Sequence, residues 1–433
     1  MNNRSTFFKY VIPSIIAFAL SGVYAIIDGY FVGNTIGDAG LSAINIAYPI
    51  VALIQAVGTG IGMGGAVYYS INVAEGNHQK AGQFIAASWW LLIAASIIFT
   101  LLTFFSAHTV LVLLGADEPV LAYATQYIRI IALGTVLQLG GTGLIPFIRN
   151  FGSSNFAMIA ILGGFITNII LDFLLVWVFN QGMAGAALAT IIGQGVTFVI
   201  ALLYFVLKKK LHILINAGEF GFLCKSIFKV GLAPFGLALT PDISLVIINR
   251  FSASYGGEKA IATYACISYI ICIIYMVLQG VGNGSQPLMS KYYGEKRTDD
   301  LAEVKRMAYA FTVMLAFIGC IIMYLGRWHI GTLFGSSDAV NAKTAKIIPI
   351  FLVSVPFVAI TRVSTAGFYA TEKAVLSYIL TFIEPILMLV LMLILPPLLG
   401  GQIMIWWSTV FARIISAVLA LLLTKSNKEF SNQ

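Results

Sequence analysis

Apolar residues run along this chain in long blocks, separated by short stretches that hold charge, glycine or asparagine. A helix needs about 20 mostly apolar residues to cross the hydrocarbon layer of a bilayer. Twelve blocks reach that length, at about 11–33, 43–70, 84–106, 121–147, 157–179, 184–207, 231–253, 261–288, 308–326, 344–368, 374–398 and 404–424. The alternating segments of a membrane β-barrel are absent. The pattern predicts an all-α polytopic membrane protein with twelve transmembrane helices. The fifth and sixth blocks meet over Asn180–Met183 and the last two around Gly400–Gly401, so each pair is expected to form an antiparallel hairpin. The first block is too long for a signal-peptide core and lacks an A-x-A-like cleavage site, so it reads as a retained span.

Position-by-position comparison reveals an internal repeat. Gly60-Ile61-Gly62-Met63-Gly64, followed by Ser70, recurs 220 residues later as Gly280-Val281-Gly282-Asn283-Gly284 and Ser290. Gly37-Asp38 and Gly257-Glu258 keep the same offset, as do Leu114-Gly115 and Phe334-Gly335. Pro13 and Pro234 differ by 221, as do Asp28 and Asn249. The expected organisation is an N-lobe over 1–207, a basic cytoplasmic linker over 208–230, and a C-lobe over 231–433. Six spans per copy preserve orientation, so the halves are parallel repeats, an arrangement that leaves a cavity able to open to either side. That is transporter geometry. The glycine run Gly58–Gly65 reads first as close helix packing by small residues and second as a flexible stretch that permits rocking.

Composition agrees with a membrane setting. Of 433 residues, 59% are hydrophobic and 10% charged, with a mean hydropathy of +0.94. Soluble domains carry about 25% charge. The net charge of +8 does not point to nucleic acid, because the basic residues are dispersed. They follow the positive-inside pattern instead. With both termini cytoplasmic, 17 of the 25 Lys and Arg fall in cytoplasmic segments and three in external loops. The four cysteines show no C-x-x-C spacing and no histidine partner, so neither a disulfide framework nor a metal site is expected. The four histidines fall in loops or at span ends. No H-E-x-x-H, Walker A or G-x-S-x-G motif is present. An enzyme is not expected, and transport without a nucleotide site must draw on an ion gradient.

Ionisable groups in hydrocarbon cost at least about 2.5–3.5 kcal/mol on insertion scales and commonly mark function. Four acids lie well inside the predicted spans: Asp28, Asp172, Asp242 and Glu384. Asp172 shares a helical face with Asn168, four residues earlier. Asp242 belongs to a Thr240-Pro241-Asp242 step expected to kink span seven. Arg250, Arg362 and Arg413 lie near span ends and are expected to snorkel to the interface.

Three segments then carry a family resemblance. Pro13 followed by Asp28-Gly-Tyr-Phe-Val-Gly33 is one. Gly280-Val-Gly-Asn-Gly-Ser-Gln-Pro-Leu-Met-Ser-Lys-Tyr-Tyr-Gly294 is the second. Asn168-x-x-x-Asp172 with Gly182-x-x-Gly185-Ala-Ala-Leu-Ala-Thr190 is the third. Together they resemble the MATE (multidrug and toxin extrusion) family of cation-coupled antiporters, in particular its bacterial and archaeal DNA-damage-inducible-like branch. The resemblance implies two six-helix lobes in a V around a central cavity, working by alternating access. It implies an N-lobe polar cluster of Asp28, Asn168, Asp172 and Thr190. The seventh-span Glu of another branch aligns with Asp242, while that branch's tenth-span Asp has no counterpart in Val355–Val363. Asn249, Glu384 and Gln194 are secondary candidates for the substrate and ion site.

The expected function is efflux of small cationic, amphipathic organic compounds by a monomer in the cell inner membrane, with no cofactor. The coupling ion is expected to be H⁺, because two nearby carboxylates in a low-dielectric site resist double ionisation. Na⁺ coupling is the first alternative. A lipid-linked oligosaccharide flippase of the same superfamily is the second, though it calls for more intramembrane cations than this chain offers.

Overall fold

Lipid offers no partner to a backbone N–H or C=O, so a chain this apolar must satisfy its backbone internally. A computed structural model describes residues 3–333 and 338–431, and its regular structure there is entirely helical. In chain order the helices are α1 Asn3–Ile36, α2 Asp38–Ala74, α3 His78–Leu113, α4 Val120–Leu133, α5 Thr135–Asn150, α6 Ser154–Leu171 and α7 Gly182–Leu207. They continue as α8 Ala217–Gly257 and α9 Lys259–Gly294. Then come α10 Thr298–Gly326, the single turn α11 Ile330–Leu333, α12 Asp338–Ala370, α13 Ala374–Leu399 and α14 Gly401–Ser431. A π-helical turn, Asp172–Val178, extends α6. Among the described residues eleven helices are long and apolar enough to cross a membrane, and α4 with α5 makes a twelfth span bent by 60°.

Three details refine the sequence picture. The fourth span is bent. Gly134 leaves helical geometry (φ −88°, ψ 2°), and a Cβ there would lie 2.3 Å from Ile191 Cγ2 on α7, so the chain bends where its backbone rests on a neighbour. The expected linker over 208–230 is irregular only over 208–216. Helix α8 begins at Ala217, where the Asn216 side chain caps it by accepting the Gly218 N–H at 3.1 Å. The residues around Pro241 keep helical φ/ψ, and the non-helical residue within Ala217–Gly294 is Gly257.

Gly257 explains part of the repeat. It has φ 61° and ψ −160°, and Gly37, 220 residues earlier, has φ 81° and ψ −160°. Only glycine enters that region without strain. The Phe334-Gly335 repeat lies outside the described residues.

The helices form two compact units. The first takes Leu20–Leu239 with Ser290–Thr298; the second takes α1 up to Ala19, Thr240–Met289, and the chain from Asp299 onwards. In the first, α2 approaches two neighbours backbone to backbone. A Cβ on Gly62 would lie 2.2 Å from Gly143 O, and one on Gly64 would lie 2.2 Å from Ile227 O. In the second, α9 repeats this against α1: a Cβ on Gly280 would lie 2.8 Å from Ile15 Cα, and on Gly284 2.8 Å from Val11 Cα. The repeated glycines are therefore packing surfaces, which membrane helices need because lipid tails supply no hydrophobic drive between them. Phe84, Phe147 and Phe205 are sealed in the core of the first unit; Tyr264, Phe351 and Trp406 pack ring to ring in the second.

Candidate functional site

In the first unit, α1, α4, α6 and α7 bring six polar side chains together. Asp28 and Tyr24 come from α1, Tyr127 from α4, Asn168 from α6, Asp172 from the first residue of the π turn, and Thr190 from α7. The carboxyl groups of Asp28 and Asp172 are within hydrogen-bonding reach of each other. Tyr24 and Tyr127 lie close enough to Thr190 to interact with it electrostatically. Thr190 donates its own hydroxyl proton to Ala186 O at 3.0 Å. Asp172 is 0% exposed, Asn168 2% and Thr190 6%.

Local sequence builds this. A Cβ on Gly193 would lie 2.8 Å from Asn168 Cβ and 2.8 Å from Gly164 O, so two glycines let α6 and α7 close around the site. The π turn adds a residue to the helix at Asp172 and re-aims the side chains beyond it.

The polar atoms do not balance. Both oxygens of Asp172, both polar atoms of Asn168, and Oδ1 of Asp28 are buried without a protein hydrogen-bond partner. Native interiors leave few such atoms. An ionised carboxylate only accepts, so Asp28 and Asp172 cannot bond each other while both are charged. One proton between them supplies the missing donor, and a small cation would do the same electrostatically.

The four residues assigned to the N-lobe cluster are thus placed together. Gln194 is not placed with them: its Oε1 lies over Gly141 on α5, where a Cβ would be 3.5 Å away. Tyr24 and Tyr127 were missed. Tyr24 could have been found one helical turn before Asp28, and Tyr127 sits in the buried stripe Ala124, Tyr127, Ile128, Ile131 of α4.

Asp242, Asn249 and Glu384 belong to the second unit. Asp242 and Asn249 share a face of α8 about two turns apart. Asn249 Oδ1 is buried and unpartnered. Asp242 and Arg362 both act electrostatically on Cys272. Glu384 accepts the Nε–H of Arg413 at 3.0 Å, Arg413 Nη1 donates to Ser354 Oγ at 3.2 Å, and its guanidinium lies 5.0 Å from the Tyr275 ring centre. This corrects the snorkelling expectation for two of three arginines. Arg250 is exposed, but Arg413 is 5% and Arg362 9% exposed, because their helix faces turn inward towards Glu384. Among the described residues, no group of three His, Cys, Asp or Glu is placed to hold a metal ion.

Relatives agree with this architecture. Multidrug export protein MepA of Staphylococcus saprophyticus is 25% identical over 431 residues, covering 97% of this chain and 94% of its own. MepA of Staphylococcus aureus strain N315 is 24% identical, covering 96% and 92%. A multidrug resistance MATE transporter of the MOP superfamily, solved in an outward-facing conformation, superposes with a TM-score of 0.92 at 20% identity over 99% of this chain and 96% of that one. A MOP superfamily transporter from Pyrococcus furiosus, described as having a binding pocket of reversed polarity, gives 0.93 at 19% over 100% and 97%. The structural likenesses establish the fold. The MatE family profile matches residues 13–174 and 239–394, which takes in most of both repeat halves and the Asp28, Asn168 and Asp172 cluster. The chain belongs to the MatE family of membrane transporters.

Proposed function

We propose that this protein exports small organic compounds, chiefly cationic amphipathic ones, in exchange for protons by alternating access. One observation carries the reading: the facing carboxyl groups of Asp28 and Asp172, buried with no protein donor between them. A proton bound there bonds the pair and neutralises one charge. Its loss leaves two like charges in a low-dielectric site that attract a cation. Proton and cationic substrate then compete, and each shifts the inward- and outward-open states by its differential affinity for them. The relatives named as multidrug export proteins support the substrate class.

Asn168 Oδ1 together with two carboxylates also makes an oxygen-rich set, which favours sodium as the second reading. A pyrophosphate-bearing lipid is the weaker fit. The second unit buries Arg362 and Arg413 near one acid, and Glu384 already binds Arg413. The lysine and arginine distribution supports a multi-pass chain in the cell inner membrane with both termini in the cytoplasm.

The test is reconstitution of the full chain in proteoliposomes with a fluorescent cationic dye. Efflux driven by an imposed ΔpH, and lost in Asp28→Asn, is the expected result. Efflux driven by a sodium gradient at zero ΔpH, and indifferent to ΔpH, would replace the proton with sodium.

A further inference from the structure

A cavity of about 430 Å³ lies between α3 and α4 in the first unit and shares no residue with the carboxyl cluster. On the orientation proposed above it opens at the external end. Its polar lining is His108 near the end of α3, Glu118 in the loop before α4, and Gln126 and Arg129 on α4, all four exposed. Glu118 and Arg129 bring opposite charges to one cavity, yet neither forms an ion pair or side-chain hydrogen bond with any described residue.

Depth makes the free arginine informative. Val120 opens α4 and Arg129 follows nine residues later, about 13 Å along the axis. An exposed guanidinium at that depth must reach outward to a polar partner, because hydrocarbon around it is costly. The surface around the cavity is apolar. Leu133, one turn deeper than Arg129, is 65% exposed. On α3, Leu101 and Phe105 are 52% and 78% exposed and lead up the same helix face to His108. Two faces suited to acyl chains therefore end at one polar pocket.

We propose that this pocket binds the headgroup of one phosphatidylethanolamine, with its phosphate on Arg129, Gln126 and His108 and its ammonium on Glu118. The order of charges selects the lipid. In an ethanolamine headgroup the phosphate lies nearer the hydrocarbon and the ammonium further out. Arg129 snorkelling from below and Glu118 in the loop above present the complementary charges in that order. The guanidinium fork fits two phosphate oxygens, and the His108 ring carries an N–H in either tautomer. The surrounding charge selects it again. Asp117, beside Glu118, adds a second carboxylate on the outer side, and no lysine or arginine lies in 34–42, 107–120 or 180–183, the connections at this end of the unit. A phosphatidylglycerol headgroup would bring an uncompensated negative charge to those acids. The quaternary ammonium of phosphatidylcholine has no N–H to give Glu118. Tyr127, on the buried face of α4, lies beside Asp28 and Asp172, so the lipid rests on the back of a helix that builds the carboxyl cluster.

The test is native mass spectrometry of the purified full chain in detergent, titrated separately with dioleoyl phosphatidylethanolamine, phosphatidylcholine and phosphatidylglycerol. Wild type is expected to retain one ethanolamine lipid about tenfold more tightly than either of the others, the scale of one charge-assisted hydrogen bond. Arg129→Gln should lose about tenfold in affinity for the ethanolamine lipid. Glu118→Gln should weaken the ethanolamine lipid alone, bringing it within about twofold of the choline lipid. Unfolding midpoints in lipid-free detergent, expected to match wild type, report that both variants are folded. Equal retention of all three lipids by wild type would overturn the proposal, as would unchanged ethanolamine-lipid binding in Arg129→Gln. Tightest retention of the glycerol lipid would overturn it too, by reducing Arg129 to a general attraction for anionic lipid.

Discussion

Arg413 Nε donates to Glu384 Oε1 at 3.0 Å, joining α14 to α13 across 29 residues of sequence. The bond sits inside a hairpin whose connection is only Gly400, with φ 122°, before α14 begins at Gly401. The short loop makes the helices antiparallel neighbours, and the ion pair holds their mutual rotation. Neither partner could be assigned to the other from the sequence alone, because hairpin register depends on how each helix turns about its axis.

The pair predicts an asymmetric mutational response. Glu384→Ala leaves Arg413 charged and buried, a change that costs about 3–5 kcal/mol. Glu384→Gln keeps an acceptor oxygen for the Nε–H and should cost markedly less. Thermal unfolding in detergent, followed by size-exclusion chromatography, ranks the two. Equal midpoints for Glu384→Ala and wild type would show that the pair does not stabilise the fold.

Asp28→Asn removes the titratable group from the first unit while preserving volume. Gradient-driven efflux in vesicles should fall at least about tenfold, with expression and chromatographic profile unchanged. Asp172→Asn should be severely impaired too, and Asn168→Ala and Thr190→Ala less so. Full activity in Asp28→Asn would remove the carboxyl pair from the mechanism.

Close packing around the cluster gives an independent handle. Gly193→Val would drive a branched side chain into Asn168 and the backbone of Gly164, which a Cβ alone already approaches to 2.8 Å. Overpacking of this kind costs about 1–3 kcal/mol, and it also displaces Asn168. Lost transport together with a lowered unfolding midpoint is expected. A variant as stable and active as wild type would show that α6 and α7 can separate at no cost.

Much of this structure is legible in the residues. Helices declare themselves by apolar length, which is a local property. Asp28 and Asp172 stand out because charge is scarce, and the repeat announces Gly37 and Gly257, whose backbone only glycine tolerates. What could not be read depends on distant partners. The bend at Gly134 packs against Ile191, 57 residues further on. Arg362 and Arg413 looked free to snorkel because span ends are visible in a sequence and helix rotation is not. Nothing in the sequence of α4 signals that Tyr127 lies near Thr190 and the acids.

Orientation is testable through loop accessibility. Asn180, Asp299 and Asp338 are exposed. In a cysteine-free background, cysteines at Asn180 and Asp338 should react with an impermeant thiol reagent added outside intact cells. Cysteines at Asp299 and Glu219 should react only after permeabilisation. The reverse pattern would invert the topology inferred from the lysine and arginine distribution.

Proton coupling makes a prediction about binding itself, with no membrane present. If a cationic substrate displaces a proton shared by Asp28 and Asp172, substrate affinity must depend on pH with a definite sign. Lowering the pH fills the pair with protons and weakens cation binding; raising it empties the pair and strengthens binding. One displaced proton allows at most about a tenfold gain in affinity per pH unit. Titrating a cationic rhodamine ester into purified protein in weak buffer should then acidify the solution, and Asp28→Asn should abolish both the acidification and most of the pH dependence. Sodium at constant ionic strength should leave the titration unchanged. Affinity that is flat with pH and suppressed by sodium would reassign the same carboxyl pair to a metal ion, because a cation held by Asp28, Asp172 and Asn168 Oδ1 competes with substrate without releasing a proton.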